Sequence, residues 1–166
     1  MRVEASENRP LTPLRAALYG AAVVGGIDFA YATLFVVYRG RPWYRPWQGV
    51  ASAVLGSDSF KGGYPSALLG VFLHFTVAAC IVGVYLIASR WVSILRQKTL
   101  ICGVVYGVLA FFVMNLVVVP LTRIGPQPLV WSAFSVGGLL LHTFLLGPAA
   151  AYFAGRAGMR EGGRRV

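Results

Sequence analysis

Long stretches without charge set the pattern of this chain. Between Arg15 and Arg39 the only charged side chain is Asp28. No Asp, Glu, Lys or Arg lies between Lys61 and Arg90, between Lys98 and Arg123, or between Arg123 and Arg156. A helix rising ~1.5 Å per residue needs about 20 residues to cross a ~30 Å hydrocarbon layer, so each gap accommodates one span. Barrel strands would be ~10 residues long and alternate in polarity, and these runs do neither. The pattern predicts spans over about 14–38, 65–89, 99–121 and 129–155, making residues 14–155 an all-α, four-helix transmembrane bundle. Connections after the second and third spans are short, which makes consecutive helices antiparallel in an up-down-up-down arrangement.

The segments between and beyond the spans differ in kind. Residues 1–13 are polar, with prolines at 10 and 13, and read as a flexible lead-in; 156–166 read as a basic, disordered tail. Loop 39–64 is too long for a turn. It opens with Arg39-Gly-Arg-Pro-Trp-Tyr-Arg-Pro-Trp47, and Gln48–Leu55 is expected to form a short helix lying in the membrane interface, stopped by Gly56 and Ser57-Asp58-Ser59. Arg39, Arg41, Trp43, Arg45 and Trp47 suit the lipid headgroup layer, where basic and aromatic side chains anchor a bundle. Small residues point to close helix contacts: Ala17, Ala21, Gly25 and Ala32 share one face of the first span, and Gly103 and Gly107 form a GxxxG in the third.

Composition agrees with the pattern. Of 166 residues, 57% are hydrophobic and 12% charged, against about 25% charged in a soluble domain, and the mean hydropathy is +0.69. The net charge of +10 does not indicate nucleic acid, because the basic residues flank apolar spans and form no stripe on a water-facing domain. They do set orientation. Arg2, Arg9, Arg15, Arg90, Arg96, Lys98, Arg156, Arg160, Arg164 and Arg165 fall on one side; Arg39, Arg41, Arg45, Lys61 and Arg123 fall on the other. Positive residues accumulate in the cytoplasm, so both termini are expected there. Residues 16–27 followed by Ala30-Tyr31-Ala32 imitate a signal peptide, but Glu4, Glu7 and the adjacent Asp28 argue against cleavage. Cys80 and Cys102 differ in depth by about 9 Å, too far for a disulfide.

Four polar side chains interrupt the spans: Asp28, His74, Asn115 and His142. Such groups cost several kcal/mol in a bilayer, and so face the bundle interior and mark function. Counted from the outer ends of their spans, they lie at about 10, 9, 6 and 13 residues, which places them in one layer within about 10 Å. Gly25 shares a face with Asp28; Gly70 precedes His74 by one turn; Gly138 precedes His142 by one turn, with Ser135 on the same side. Gly70 and Gly138 each leave room beside an imidazole for a helix or a ligand. The matching Gly70/His74 and Gly138/His142 spacings also allow two parallel helix-hairpin repeats.

Three functions fit this layer. The first is a site for a proton, an ion or a small ligand, in transport or sensing. The second is a structural or accessory subunit of a membrane complex, in which the polar layer fixes helix packing. The third is a b-type haem held between His74 and His142. No cofactor is expected on the first two readings, and a zinc site lacks a close ligand pair. The expected partners are the lipid bilayer and a second copy or another membrane subunit. No nucleophile elbow, P-loop, HExxH or CxxC is present, so an enzyme is not expected.

The layout of four short spans, a broad loop after the first, His142 in the last span and Phe153-Ala-Gly-Arg156 at its end resembles the YagU-like group of uncharacterised bacterial inner-membrane proteins. The resemblance implies a bacterial inner membrane and leaves the molecular function unassigned.

The orientation is open to a direct test. In a variant with Cys80 and Cys102 replaced, an impermeant thiol reagent applied to intact cells should modify a cysteine placed at Ser57 and spare one at Ser93. The reverse pattern would invert the topology.

Overall fold

The computed structural model describes residues 10–157. Its four long apolar helices, each able to cross a membrane by length and composition, are Pro13–Tyr38 (α1), Gly63–Trp91 (α3), Thr99–Leu121 and Ala133–Arg156, with Arg45–Leu55 (α2) and the short Ile94–Gln97 (α4) in the first two connections. They form an antiparallel four-helix bundle, and the chain is a multi-pass helical membrane protein. Both ends of the described chain meet at one end of the bundle, where Leu11 N–H donates to Arg156 O at 2.9 Å and Leu11 pairs with Ala157. Of the expected flexible lead-in and tail, residues 1–9 and 158–166 lie outside the described residues; Leu11 and Ala157 pack on the core.

The first span starts where Thr12 accepts a hydrogen bond from Arg15 N–H at 3.3 Å, with Pro13 in the first turn, where its missing N–H costs nothing. Ala30-Tyr31-Ala32 lies inside this helix with Ala32 buried. The expected small-residue face is present, with Ala16, Gly20, Ala21, Gly25 and Ala32 buried.

The third and fourth spans are not uniform. In the third, α5 (Thr99–Val113) widens into a π turn at Met114–Val118 and ends in a 3-10 turn at Val119–Leu121. In the fourth, α6 (Ala133–Leu141) passes through a π turn at His142–Leu146 into α7 (Gly147–Arg156). A proline follows each π turn, Pro120 and Pro148. Proline cannot donate to the carbonyl four residues back and crowds it, and a wider turn relieves that conflict. The fourth span begins at Ala133, not at 129. Pro126 and Pro128 hold the preceding segment out of the helix, and Ser132 caps it by accepting from Ser135 N–H at 3.2 Å.

The larger of the two buried clusters lies towards the terminus end. Ala150, Ala151 and Ala154 of α7 are fully buried among Ala16, Val24, Val82 and Tyr85. The GxxxG of the third span finds its partner here: a Cβ on Gly103 would meet Pro148 Cα at 2.7 Å, and one on Gly107 would run into His142 O. The second and third spans meet through side chains, with Tyr106 donating to Ile81 O at 2.6 Å and its ring edge-on to Tyr85 at 4.9 Å. The outer surface is apolar and bounded by aromatic residues. Leu34, Leu68, Phe72, Leu100 and Phe144 are exposed, as are Tyr19, Trp91 and Tyr152 towards one end and Tyr38, Tyr64 and Trp131 towards the other. Cys80 is exposed, and both cysteines are free.

These contacts separate glycines that pack from glycines that do not. Gly107→Ala should destabilise by roughly 1–3 kcal/mol, because the added methyl must displace a helix backbone. Gly83→Ala, which meets nothing within 4 Å, should be neutral or stabilise by up to about 1 kcal/mol. Unfolding in detergent micelles measures both; equal effects would refute this account of the interface.

Candidate functional site

Loop 39–64 supplies the roof of the bundle at the end away from the termini. Its helix, Arg45–Leu55 (α2), begins three residues earlier than expected, with Pro46 in its first turn. It packs on the bundle, with Trp47, Gln48, Ala51 and Ser52 buried. The absence of a side chain at Gly70 permits this: a Cβ there would collide with Trp47 O. Trp47, expected among headgroups, is instead 1% exposed. Its indole stacks on Phe29 at 4.2 Å and 7° and meets His74 edge-on at 5.0 Å. Arg39 and Arg41 are exposed and Trp43 is half-exposed. Arg45 donates to Gln48 Oε1 at 3.2 Å and lies 4.4 Å over the Phe60 ring. Arg123, from the opposite loop, closes the far end of α2 by donating from its main chain to Ala53 O at 3.0 Å and from Nη1 to Val54 O at 3.2 Å.

Beneath this roof lies a cavity of about 630 Å³, within the roughly 300–1,000 Å³ of small-molecule sites. Asp28, His74, Asn115 and His142, one from each span, all line it. Gly25, Ser135 and Gly138 line it too; Gly70 does not, being covered by α2. Val24, Ala78 and Leu146 join the cavity to the buried core, while Val54, Thr122 and Ile124 line it at the loop end. The rest of the wall is largely aliphatic and aromatic.

Hydrogen bonds fix each polar group. A carbonyl oxygen only accepts, so the ring nitrogen facing it carries the proton. His74 therefore donates from Nε2 to Gly25 O at 2.9 Å, which leaves Nδ1 facing Asp28 Oδ2 at 3.8 Å. That separation is an ion-pair contact and too long for a hydrogen bond. His142 donates from Nδ1 to Gly138 O at 2.8 Å, and Asn115 donates to Phe111 O at 2.8 Å, each to the carbonyl four residues back. Both residues belong to π turns, which recur at functional sites. Tyr31 reaches from the first span to donate to Phe134 O at 2.8 Å, and its hydroxyl occupies the space a side chain on Gly137 would need. The two proposed repeats diverge here, since His74 bonds across to another span and His142 bonds within its own.

The donor set does not suit the haem expected as an alternative. Axial ligation by both histidines needs an uncommitted ring nitrogen aimed at the iron from each, and His74 has Nε2 bonded to Gly25 O and Nδ1 turned to Asp28. Among the described residues, no three His, Cys, Asp or Glu side chains converge for a metal ion.

Tyr31, Trp47, Phe111 and Phe134 belong to the cavity wall but were absent from the sequence-based site, because aromatic residues in an apolar chain carry no contrast. The usable signal was Pro120 and Pro148, which mark the perturbed turns at Asn115 and His142. The chain matches no protein-family model, no curated protein and no solved structure. Its class is fixed by fold and site alone: a multi-pass helical membrane protein with a polar-anchored internal cavity.

The two histidines should hold opposite tautomers when neutral. Nitrogen NMR of ring-labelled protein, at a pH alkaline enough for both rings to be neutral, is expected to show the Nε2–H form for His74 and the Nδ1–H form for His142. An Nε2–H signal from His142 would contradict its bond to Gly138 O.

Proposed function

We propose that this chain is a non-enzymatic bacterial inner-membrane protein whose cavity binds a small ligand, coupled to a proton on the Asp28–His74 pair, in transport or sensing. One observation carries the reading: the four intramembrane polar side chains, drawn from four separate spans, line the same cavity. A bundle that needed them only for packing had no reason to leave that space open. The volume favours a small molecule over a bare ion, and the mostly apolar wall favours a molecule with substantial hydrocarbon. The absence of an enzyme motif in the sequence and the pairing of Ser135 with Ser132 at 3.1 Å, not with a histidine, support a binding role. Orientation with cytoplasmic termini rests on the basic loops, and the bacterial inner membrane on the YagU-like resemblance. Besides the lipid bilayer, the exposed apolar faces offer contact to a second copy or another membrane subunit; no nucleic acid is involved.

The accessory-subunit reading draws support from Asn115 and His142, which each give a proton to their own helix. The two readings separate on ligand stabilisation. A ligand that binds only the folded state raises the melting temperature in a saturable, concentration-dependent way. Purified protein should show this with at least one class from a panel of neutral, anionic and cationic small apolar molecules. Ser135→Phe, which places bulk in the cavity wall, should abolish it, while Asp28→Asn should leave the unliganded melting temperature little changed. No saturable stabilisation, or one undiminished in Ser135→Phe, would return the layer to a packing role.

A further inference from the structure

Most protons in the cavity wall are already committed. Tyr31 gives its hydroxyl proton to Phe134 O at 2.8 Å, Thr122 gives its own to Val119 O at 2.7 Å, and His142 gives Nδ1–H to Gly138 O at 2.8 Å. What these side chains retain is lone pairs, on the Tyr31 oxygen and His142 Nε2; the Thr122 oxygen already accepts from Ile124 N–H at 3.2 Å, and the Ser135 hydroxyl is shared with Ser132 at 3.1 Å. Asn115 keeps its carbonyl oxygen and one N–H after donating to Phe111 O. The indole N–H of Trp47 has no partner, but it is sealed among protein atoms and does not open onto the space. A ligand therefore meets a wall rich in acceptors and poor in donors.

The charges point the same way. Among the described residues no lysine or arginine lines the cavity, and Asp28 is its one carboxylate. The carboxylate keeps 29% of its side chain exposed. Its neighbour is His74 Nδ1 at 3.8 Å, and the proton of that ring is fixed on Nε2 by Gly25 O. With neutral His74, two acceptors face one another across a gap. A hydrogen-bond donor suits that gap: a proton carried by either group, a water, or the N–H groups of a bound cation. The rings of Tyr31, Phe111 and Phe134 line the same space, and aromatic faces attract cations further. The groups around the pair that titrate are Tyr31 on the first span and His142 on the fourth; α2 and the third span contribute no ionisable side chain to the lining.

We propose that the cavity takes a lipophilic organic ammonium, an amine carrying an aromatic or branched hydrocarbon body, in exchange for one proton from the Asp28–His74 pair. This rests on the reading of the cavity as a ligand site and specifies its ligand class. On binding, the ammonium donates to the Asp28 carboxylate. His74 Nδ1 releases its proton to water and retains Nε2–H on Gly25 O, so the charge of the site is conserved and no covalent bond to carbon changes. Anionic ligands are rejected, because they would oppose Asp28 and find few donors.

The test uses three molecules of one skeleton, naphthylethylamine, naphthylethanol and naphthylacetate, with binding to the purified full chain in detergent followed by equilibrium dialysis. The amine should bind more tightly than the alcohol by at least about tenfold, the size of one charge-assisted hydrogen bond, and the carboxylate should bind most weakly. Because binding releases a proton, amine affinity should fall on acidification, by up to about tenfold per pH unit. The alcohol should show no such dependence. Asp28→Asn should remove both the preference for the amine and its pH dependence. If the alcohol matches the amine, or Asp28→Asn keeps the preference, the ammonium class is overturned; the ligand site itself survives if Ser135→Phe abolishes binding of all three. Absence of saturable binding by any of the three overturns both. Should Asp28→Asn not fold, the wild-type series decides alone, and an amine affinity flat between about pH 5 and about pH 8 overturns the exchange.

Discussion

A carbonyl oxygen buried in an apolar surround costs several kcal/mol unless it accepts a proton, and this bundle meets that demand with side chains as well as with backbone. Many of the polar side chains inside the spans donate to a main-chain carbonyl. His74 serves Gly25 O, Tyr106 serves Ile81 O, Tyr31 serves Phe134 O, and Asn115, His142, Thr76 and Ser89 serve carbonyls of their own helices. Two consequences follow. The bonds that cross between spans lock helices together where small residues leave little to interdigitate. The protons so used are no longer there for a ligand, which is why the cavity presents lone pairs.

The same demand shapes the irregular turns. Pro120 and Pro148 each deprive a carbonyl of its usual donor, and the chain widens ahead of them instead of breaking. Because the fourth span widens at His142, its backbone comes directly against Gly107 of the third, and the Gly103–Gly107 pair accommodates it. The π turn, the GxxxG and the histidine are one local solution. The structural and chemical demands on His142 therefore cannot be separated by mutating it alone, whereas Asp28, held by an ion-pair contact to His74, is the cleaner probe of chemistry.

Much of this was legible in the sequence, for identifiable reasons. The charge gaps located the spans, because an apolar solvent excludes charge wherever the helix sits. The isolated polar residues located the cavity, because a polar group in such a run must turn inward. Depth counting then placed Asp28, His74, Asn115 and His142 at one level, and all four line the same space. What was not legible involved contacts between segments distant in sequence. Trp47 in an Arg-Trp loop looks like a headgroup anchor; only the gap at Gly70, on another helix, makes it a core residue. The start of the fourth span was misplaced by four residues because 129–132 are apolar enough to continue a helix, while Pro128 and the Ser132 cap decide otherwise. Arg123 is equally ambiguous in sequence, since its role as the closure of α2 depends on two carbonyls about seventy residues earlier.

The pairing of Leu11 with Ala157 gives the bundle a mechanical polarity. Entry and exit of the chain are stitched to one another beside the larger buried cluster, which gives the helices a common root. At the opposite end they are joined by α2 and a single arginine clasp. If the helices move relative to one another, a pivot at this root makes the displacement grow towards the far end. A small rotation that barely disturbs Ala150, Ala151 and Ala154 would move the Arg123–α2 clasp several times further. The cavity, placed between pivot and clasp, is where such a lever would turn tilt into a change of volume.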